Sequence, residues 1–277
     1  MDKHILVPLD GSTWAERALP LAATLAHAAG APLTLLHVLV YPAEHEAAAA
    51  RELLEPTAAA LRARGLAVHC RLEPAASPAA IPAAILQAAA AAPAELMVLS
   101  SHGRAGAGRW LYGQVAEALL QQAPLPLLLV PLTCSLRWPS TRPPRLLVPL
   151  DGSALAEEAL GPAARWAAAL GAELVLLQVV EPSLCPPDGH LGPAADLAPA
   201  LEGARGELSA VAPRPRAAGQ VAEVHTALGA GGRVSALARE QGVDLVVLST
   251  HGRGGRGRSG CWGGWRWRRC SRRACRC

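Results

Sequence analysis

The sequence contains no phenylalanine and no asparagine, and Lys3 is the one lysine among 26 basic residues. Lys, Phe and Asn have AT-rich codons, whereas Ala, Gly, Pro and Arg, which dominate here, have GC-rich ones. A GC-rich gene accounts for the pattern, so arginine in place of lysine is no sign of adaptation to heat. Charge is scarce too: 17% of residues are charged and 51% are apolar. That excludes a disordered chain, which needs low hydrophobicity and high charge. Seven cysteines in 277 residues, unevenly placed, are too few for a disulfide scaffold. Long hydrophobic runs are missing. Leu125–Leu132 is apolar but broken by Pro126 and Pro131, and a membrane span needs about 18 residues or more. Asp2, Lys3 and His4 lead straight into Ile5–Leu9, a run too short for the apolar part of a signal peptide. These absences point to a soluble, cytoplasmic protein of one or two domains without a membrane partner. Cys70, Cys134 and Cys185 are then free thiols.

The formal net charge of +4 invites a nucleic-acid partner. Residues 253–277, however, hold nine Arg and no acidic residue. Without them 17 basic residues face 22 acidic ones, and the rest of the chain carries −5. The positive balance belongs to the tail, and nucleic acid is not expected as a partner.

An internal repeat is the strongest signal in the chain. Residues 5–12 read ILVPLDGS and residues 146–153 read LLVPLDGS, an offset of 141 that holds through Gly30/Gly171 and Leu36-His37-Val38/Leu177-Gln178-Val179. SHGR at 101–104 returns as THGR at 250–253. The repeat divides the chain into a first domain at 1–132, a Pro/Ser/Thr linker at 133–144, an incomplete second domain at 145–256 and an aberrant tail at 257–277. Each copy alternates strands and helices. In the first, strands are expected at 5–9, 32–39, 66–72, 96–100 and 127–130. Helices are expected at 13–30, 43–64, 78–92 and 113–122, with Thr13 and Glu16 forming a capping box and Gly30 a helix stop. The second copy should have strands at 146–150, 173–179, 221–227 and 244–249. The order implies an α/β fold of two tandem Rossmann-like domains, each a parallel five-stranded sheet with helices on both faces, the second truncated.

In such sheets ligands bind beyond the carboxyl ends of the strands, near a topological switch point. Two segments should lie there: Pro8-Leu9-Asp10-Gly11-Ser12, and the glycine-rich Ser100–Gly108 loop running toward a helix near Gly113. Glycines let backbone N–H groups approach an anion, and a helix N-terminus favours phosphate. A carboxylate such as Asp10 suits ribose hydroxyls or a magnesium ion. The ordinary alternatives are a turn-capping role for Asp10 and Asp151 and a structural role for the loop histidines His102 and His251. Trp14, Trp110 and Trp166 read as core or interface aromatics.

VPLDGS, SHGR followed by GRWLYGQVAEALL, and the proline-framed LPLLLVP resemble the universal stress protein family over nearly the whole chain, as two tandem copies. The resemblance implies a five-stranded parallel sheet and dimers through the last strand. In many members it also implies ATP, with magnesium, on a G-x2-G-x9-G-[S/T] loop. Gly103 and Gly113 match the second and third glycines. Ser100 stands at the first, and Gln114 stands where Ser or Thr is expected. Asp10 matches the acidic residue after the first strand, and Val38 the second-strand residue beside adenine. The candidate nucleotide-binding residues are Pro8, Leu9, Asp10, Val38, Ser100, His102, Gly103, Gly106, Gly113, Gln114 and Val115. The second copy offers Asp151, Val179 and Gly252, with Ser249 at the first-glycine position. Three functions compete: an adenine-nucleotide-binding signalling module without turnover, a weak ATPase or adenylyl-transfer enzyme, and an interaction protein with an empty pocket. The partners implied are the nucleotide, the other copy within the chain and a second chain in a homodimer.

The tail departs from the repeat. After Gly257 a helix and a strand are due, yet three Trp, four Cys and nine Arg crowd into 253–277. No paired C-x2-C knuckle exists for zinc. Read one frame over, the stretch from Gly260 permits W-L-L-G-G-V-A, where the first copy has WLYGQVA at 110–116. A frameshift near 256–260 explains the composition better than a nucleic-acid arm.

Overall fold

The computed structural model describes residues 4–40, 44–92, 94–102, 113–132, 134, 138–180, 197–213, 215, 222–229 and 232–249. The chain divides into two compact units, Met1–Leu136 and Arg137–Cys277.

The first unit is built on five short strands: β1 (His4–Pro8), β2 (Leu33–Val40), β3 (Val68–Ala75), β4 (Ala94–Ser100) and β5 (Leu127–Val130). All pairings are parallel, in the order β3-β2-β1-β4-β5. Strands β1, β2, β4 and β5 are nearly continuous apolar runs because helices cover both faces, whereas the edge strand β3 carries His69, Arg71 and Glu73. Ile5, Val7, Leu33 and Leu35 are fully buried. On the other face Leu6, Leu36, Met97 and Leu99 pack with Ile85, Ala88, Ala116 and Leu119 in one cluster. Each such Leu contributes roughly 1.5–3 kcal/mol over its exposed state, so the aliphatic core needs no phenylalanine.

The expected helix 13–30 is two helices, α1 (Thr13–Glu16) and α2 (Leu19–Ala29). Pro20, at the start of α2, has no N–H to continue the helical ladder. The cap is also one residue earlier than the capping box predicts. Ser12, extended at φ −89 and ψ 148, accepts from the Ala15 N–H at 3.1 Å, so Thr13 is the first helical residue. Helix α2 ends where expected: Gly30 is left-handed at φ 60, and the Ala31 N–H reaches the Ala26 carbonyl at 2.9 Å. This is a Schellman stop, which favours glycine. Helices α3 (Glu44–Arg62), α4 (Ile81–Ala91) and α5 (Gln114–Gln122) complete the unit, α4 preceded by a 3-10 turn at Pro78–Ala80. Strand β3 begins two residues later than read from the sequence and runs on to Ala75. Trp14 is 41% exposed and so is no core residue, whereas Trp166 of the second unit is buried. Trp110 lies outside the described residues.

The second unit repeats the plan with β6 (Arg145–Leu150), α6 (Ala154–Glu157), α7 (Leu160–Leu170), β7 (Glu173–Val180), α8 (Ala198–Val211), β8 (Ala222–Leu228), α9 (Gly232–Glu240) and β9 (Leu245–Val246). Even the break between the first two helices recurs. Its parallel sheet has four strands among the described residues, in the order β8-β7-β6-β9. The strand expected at 244–249 is reduced to two residues, since no described strand lies on its outer side. Arg142 clips the entry of this unit, donating to both carboxylate oxygens of Asp244 at 2.8 and 2.9 Å and to the Gly242 carbonyl at 3.0 Å.

Candidate functional site

In the first sheet β1 continues outward to β2 and β3 on one side, and β4 to β5 on the other. The switch point therefore lies between the carboxyl ends of β1 and β4, where open α/β sheets leave a crevice. Pro8 closes β1, paired with Leu36. Leu9 is buried and its N–H donates to the Leu36 carbonyl at 2.8 Å. Asp10 follows on the rim.

The aspartate is held locally. Its Oδ1 accepts from the Ser12 N–H at 2.9 Å and the Ser12 hydroxyl at 2.6 Å, across Gly11 at φ 77. That φ is unfavourable for any residue with a Cβ. The motif is an Asx turn whose serine also caps α1. The second copy repeats it: Asp151 accepts from Ser153 at 3.0 and 2.6 Å, and Ser153 from the Ala156 N–H at 3.1 Å.

His37 supports the same strand end, a role the sequence did not signal because the residue reads as strand interior. Its Nδ1 lies 2.8 Å from the Leu9 carbonyl. A carbonyl only accepts, so Nδ1 carries the proton. The second copy has Gln178 here, and it turns instead to Glu207, donating at 2.8 Å.

Strand β4 ends in Ser100, Ser101 and His102. Strand alternation puts Ser100 on the face opposite Met97 and Leu99. It is 7% exposed, and its hydroxyl oxygen is buried with no hydrogen-bond partner among the described residues. Ser101 donates its N–H to Val130 at 3.0 Å, and its carbonyl accepts the Gly113 N–H at 2.8 Å. The end of β4 is thereby tied to the start of α5. The Ser101 hydroxyl and His102 Nδ1 are 3.0 Å apart. Gly113 precedes α5 in extended conformation and, as a glycine, brings no side chain to cap the helix. The N–H groups of a helix's first turn have no intrahelical acceptor, and such a terminus suits an anion.

Gln114 is exposed at the first helical position and Val115 is half-buried. Val115, Val38 and Ile81 pack against the same buried cluster. Ile81 was not among the expected site residues. The structure thus gathers Pro8, Leu9 and Asp10 at the end of β1, Ser100 and His102 at the end of β4, and Gly113, Gln114 and Val115 at the start of α5. Gly103, Gly106 and Gly252 lie outside the described residues. In the second unit Asp151 and half-buried Val179 hold the counterpart positions. Among the described residues no group of three His, Cys, Asp or Glu side chains gathers to hold a metal ion. No described helix is long and apolar enough to cross a membrane.

No curated protein sequence matches the chain. Among solved structures, a universal stress protein from Archaeoglobus fulgidus DSM 4304 matches with a TM-score of 0.59 at 17% identity, over 88% of this chain and 85% of that one. A protein of unknown function from Pseudomonas aeruginosa PAO1 matches with a TM-score of 0.58 at 17% identity, over 88% and 80%. At such identities these likenesses show the fold. The model of the universal stress protein family matches residues 1–131 and again residues 144–260. With two copies of the family's domain, the chain belongs to the universal stress protein family.

Proposed function

We propose that the first unit binds an adenine nucleotide, ATP in the reading favoured here, and that the protein acts as a stress-response signalling module without turnover. The observation that carries this is the convergence at the switch point. The Asp10 turn sits at one strand end, and the N-terminus of α5 is tied to the other by the Gly113–Ser101 hydrogen bond of 2.8 Å. Phosphates would lie on the α5 N-terminus, ribose near Asp10, and the base along Val38, Ile81 and Val115. Magnesium would arrive on the phosphates rather than reside in the protein. Family structures exist with dAMP, from Archaeoglobus fulgidus, and with cAMP. Each spans 47% of this chain with a TM-score below 0.5, so the proposal leans on the local geometry and not on them. In this reading the protein works in the cytoplasm and forms a homodimer through the edge strand β5.

Mass spectrometry of small molecules released from the natively purified protein tests the function. An adenine nucleotide in the release, and a tenfold or greater loss of affinity in Asp10→Ala and Gly113→Val, are expected. ADP or AMP accumulating with time would favour the enzymatic reading, which has the Ser101–His102 contact in its support. Absence of nucleotide, together with no calorimetric binding of ATP, would leave an interaction protein with an empty pocket.

A further inference from the structure

We infer that the chain changes reading frame relative to its own repeat near Arg258, and that the bases beyond encode, one frame over, the helix and strand that would cover the apolar face at β9. The inference is independent of nucleotide binding.

The structure supplies the first half. Register equates the two penultimate strands: Met97 lies beside Leu6, and Val246 beside Leu147. Met97 is 0% and Leu99 5% exposed, under Ala116 and Leu119 of α5 and beside Leu127 and Leu129 of β5. Their counterparts fare differently. Val246 is only half-buried, and Leu248 is 38% exposed. Strand β9 ends its sheet with no outer neighbour among the described residues.

The sequence supplies the second half. Residues 250–258, THGRGGRGR, follow 101–109, SHGRAGAGR, without a gap; Ser259 then stands where the first copy has Trp110. The family match stops at residue 260. Cys is TGT or TGC and Trp is TGG. Joining the last base of each codon to the first two of the next therefore fixes much of the shifted frame. Cys261–Trp262 must give Leu, opposite Tyr112. Trp262–Gly263 must give Gly, opposite Gly113. Any other codon before a Cys or Trp yields Leu, Met or Val. Gly260–Cys261, Gly264–Trp265, Arg269–Cys270, Ala274–Cys275 and Arg276–Cys277 do so opposite Leu111, Val115, Leu120, Leu125 and Leu127. Arg266–Trp267 does so opposite Glu117, a mismatch. Cys275–Arg276 permits Pro opposite Pro126, so L-P-L is readable at the start of the β5 counterpart. Gln114, Leu119 and Pro124 are also excluded at their positions, the sort of divergence two old copies show. The remaining frame turns every Trp codon into Gly and would put glycines inside the helix. An apolar pattern in register with α5 and β5 is what a buried helix and strand require. The Arg, Trp and Cys of the tail are then by-products of frame.

Sequencing genomic DNA from codon 250 past codon 277 tests this. TGG across Ser259–Gly260, and a shifted frame open through L-P-L into a further apolar run, are expected. A stop codon in that frame before the Leu127 counterpart, or no TGG at the junction, would overturn the inference. A frame-restored protein gives a second readout. Hydrogen exchange at Val246–Leu248 should slow by roughly tenfold or more against the 277-residue chain. Unchanged exchange would refute the covering role even if the DNA reads as expected.

Discussion

Ser100 stands at the buried end of β4, where the strand gives way to the candidate site. Its buried hydroxyl has no partner among the described residues, and an unsatisfied buried group of this kind costs about 1–3 kcal/mol. Ser100→Ala should therefore raise the stability of the first unit by about 1 kcal/mol in urea unfolding. A loss of stability would mean that the hydroxyl is satisfied in solution. Cys70 gives a second residue-scale expectation. Burial and the nearby Glu55 carboxylate raise its thiol pKa, against the opposing pull of Arg62. The thiolate fraction at neutral pH is then below that of an ordinary cysteine. Site-resolved alkylation should be slower at Cys70 than at a cysteine in a short peptide, and should accelerate only as pH climbs through the raised value. Equal rates at pH 7 would contradict this. Asp10 was legible in the sequence because the Asx turn is written in three consecutive residues. His37 was not, because its partner, the Leu9 carbonyl, is 28 residues away. No local pattern announces a side chain that crosses between strands.

Helix stops were the most legible elements, because their chemistry is local. Gly30 and Gly171 are left-handed at φ 60 and 59, and a Cβ at either would meet nothing within 4 Å. Alanine at either position therefore isolates the backbone term. Gly30→Ala and Gly171→Ala should each lower stability by about 1 kcal/mol, measured by chemical denaturation. A neutral result would show that the helix ends relax. The division of the first helix into α1 and α2 was less legible. A proline suits a first turn and is costly in a helix interior, although Pro56 lies inside α3, and the sequence does not say which place Pro20 takes. Strand β9 was overestimated for a tertiary reason. Among the described residues β9 has one neighbouring strand, β6, and an apolar run with one neighbour forms fewer ladder hydrogen bonds than the same run with two.

At the scale of the molecule, two units of like plan have unlike cores. The first buries Met97, Leu99 and Leu119 in a cluster shared by two helices and the sheet. The second buries Leu147, Val175, Leu177, Val234 and Leu237, with Val246 only packed against them. Unfolding should accordingly be biphasic, the second unit melting at lower denaturant. Hydrogen exchange read along the chain would assign the phases: amides of β7 and β9 should open before those of β2 and β4. A single transition reported equally from both halves would contradict it. The fold as a whole was legible because the repeat shows each pattern twice, so a weak strand in one copy is confirmed by its twin.

In both sheets one of the two neighbours of the first strand is supplied late: β4 pairs with β1 after some ninety intervening residues, and β9 with β6 after a similar interval. On a ribosome, which releases the chain from its N-terminus at about 5–20 residues per second, β1 and the Asp10 turn emerge seconds before the strand that completes their crevice. Ligand cannot assist early folding, since half of its site has not been made. By the time Arg258 is reached, all of the first unit has left the peptidyl-transferase centre. Whatever befalls the chain beyond that codon reaches only the second copy while it is still incomplete.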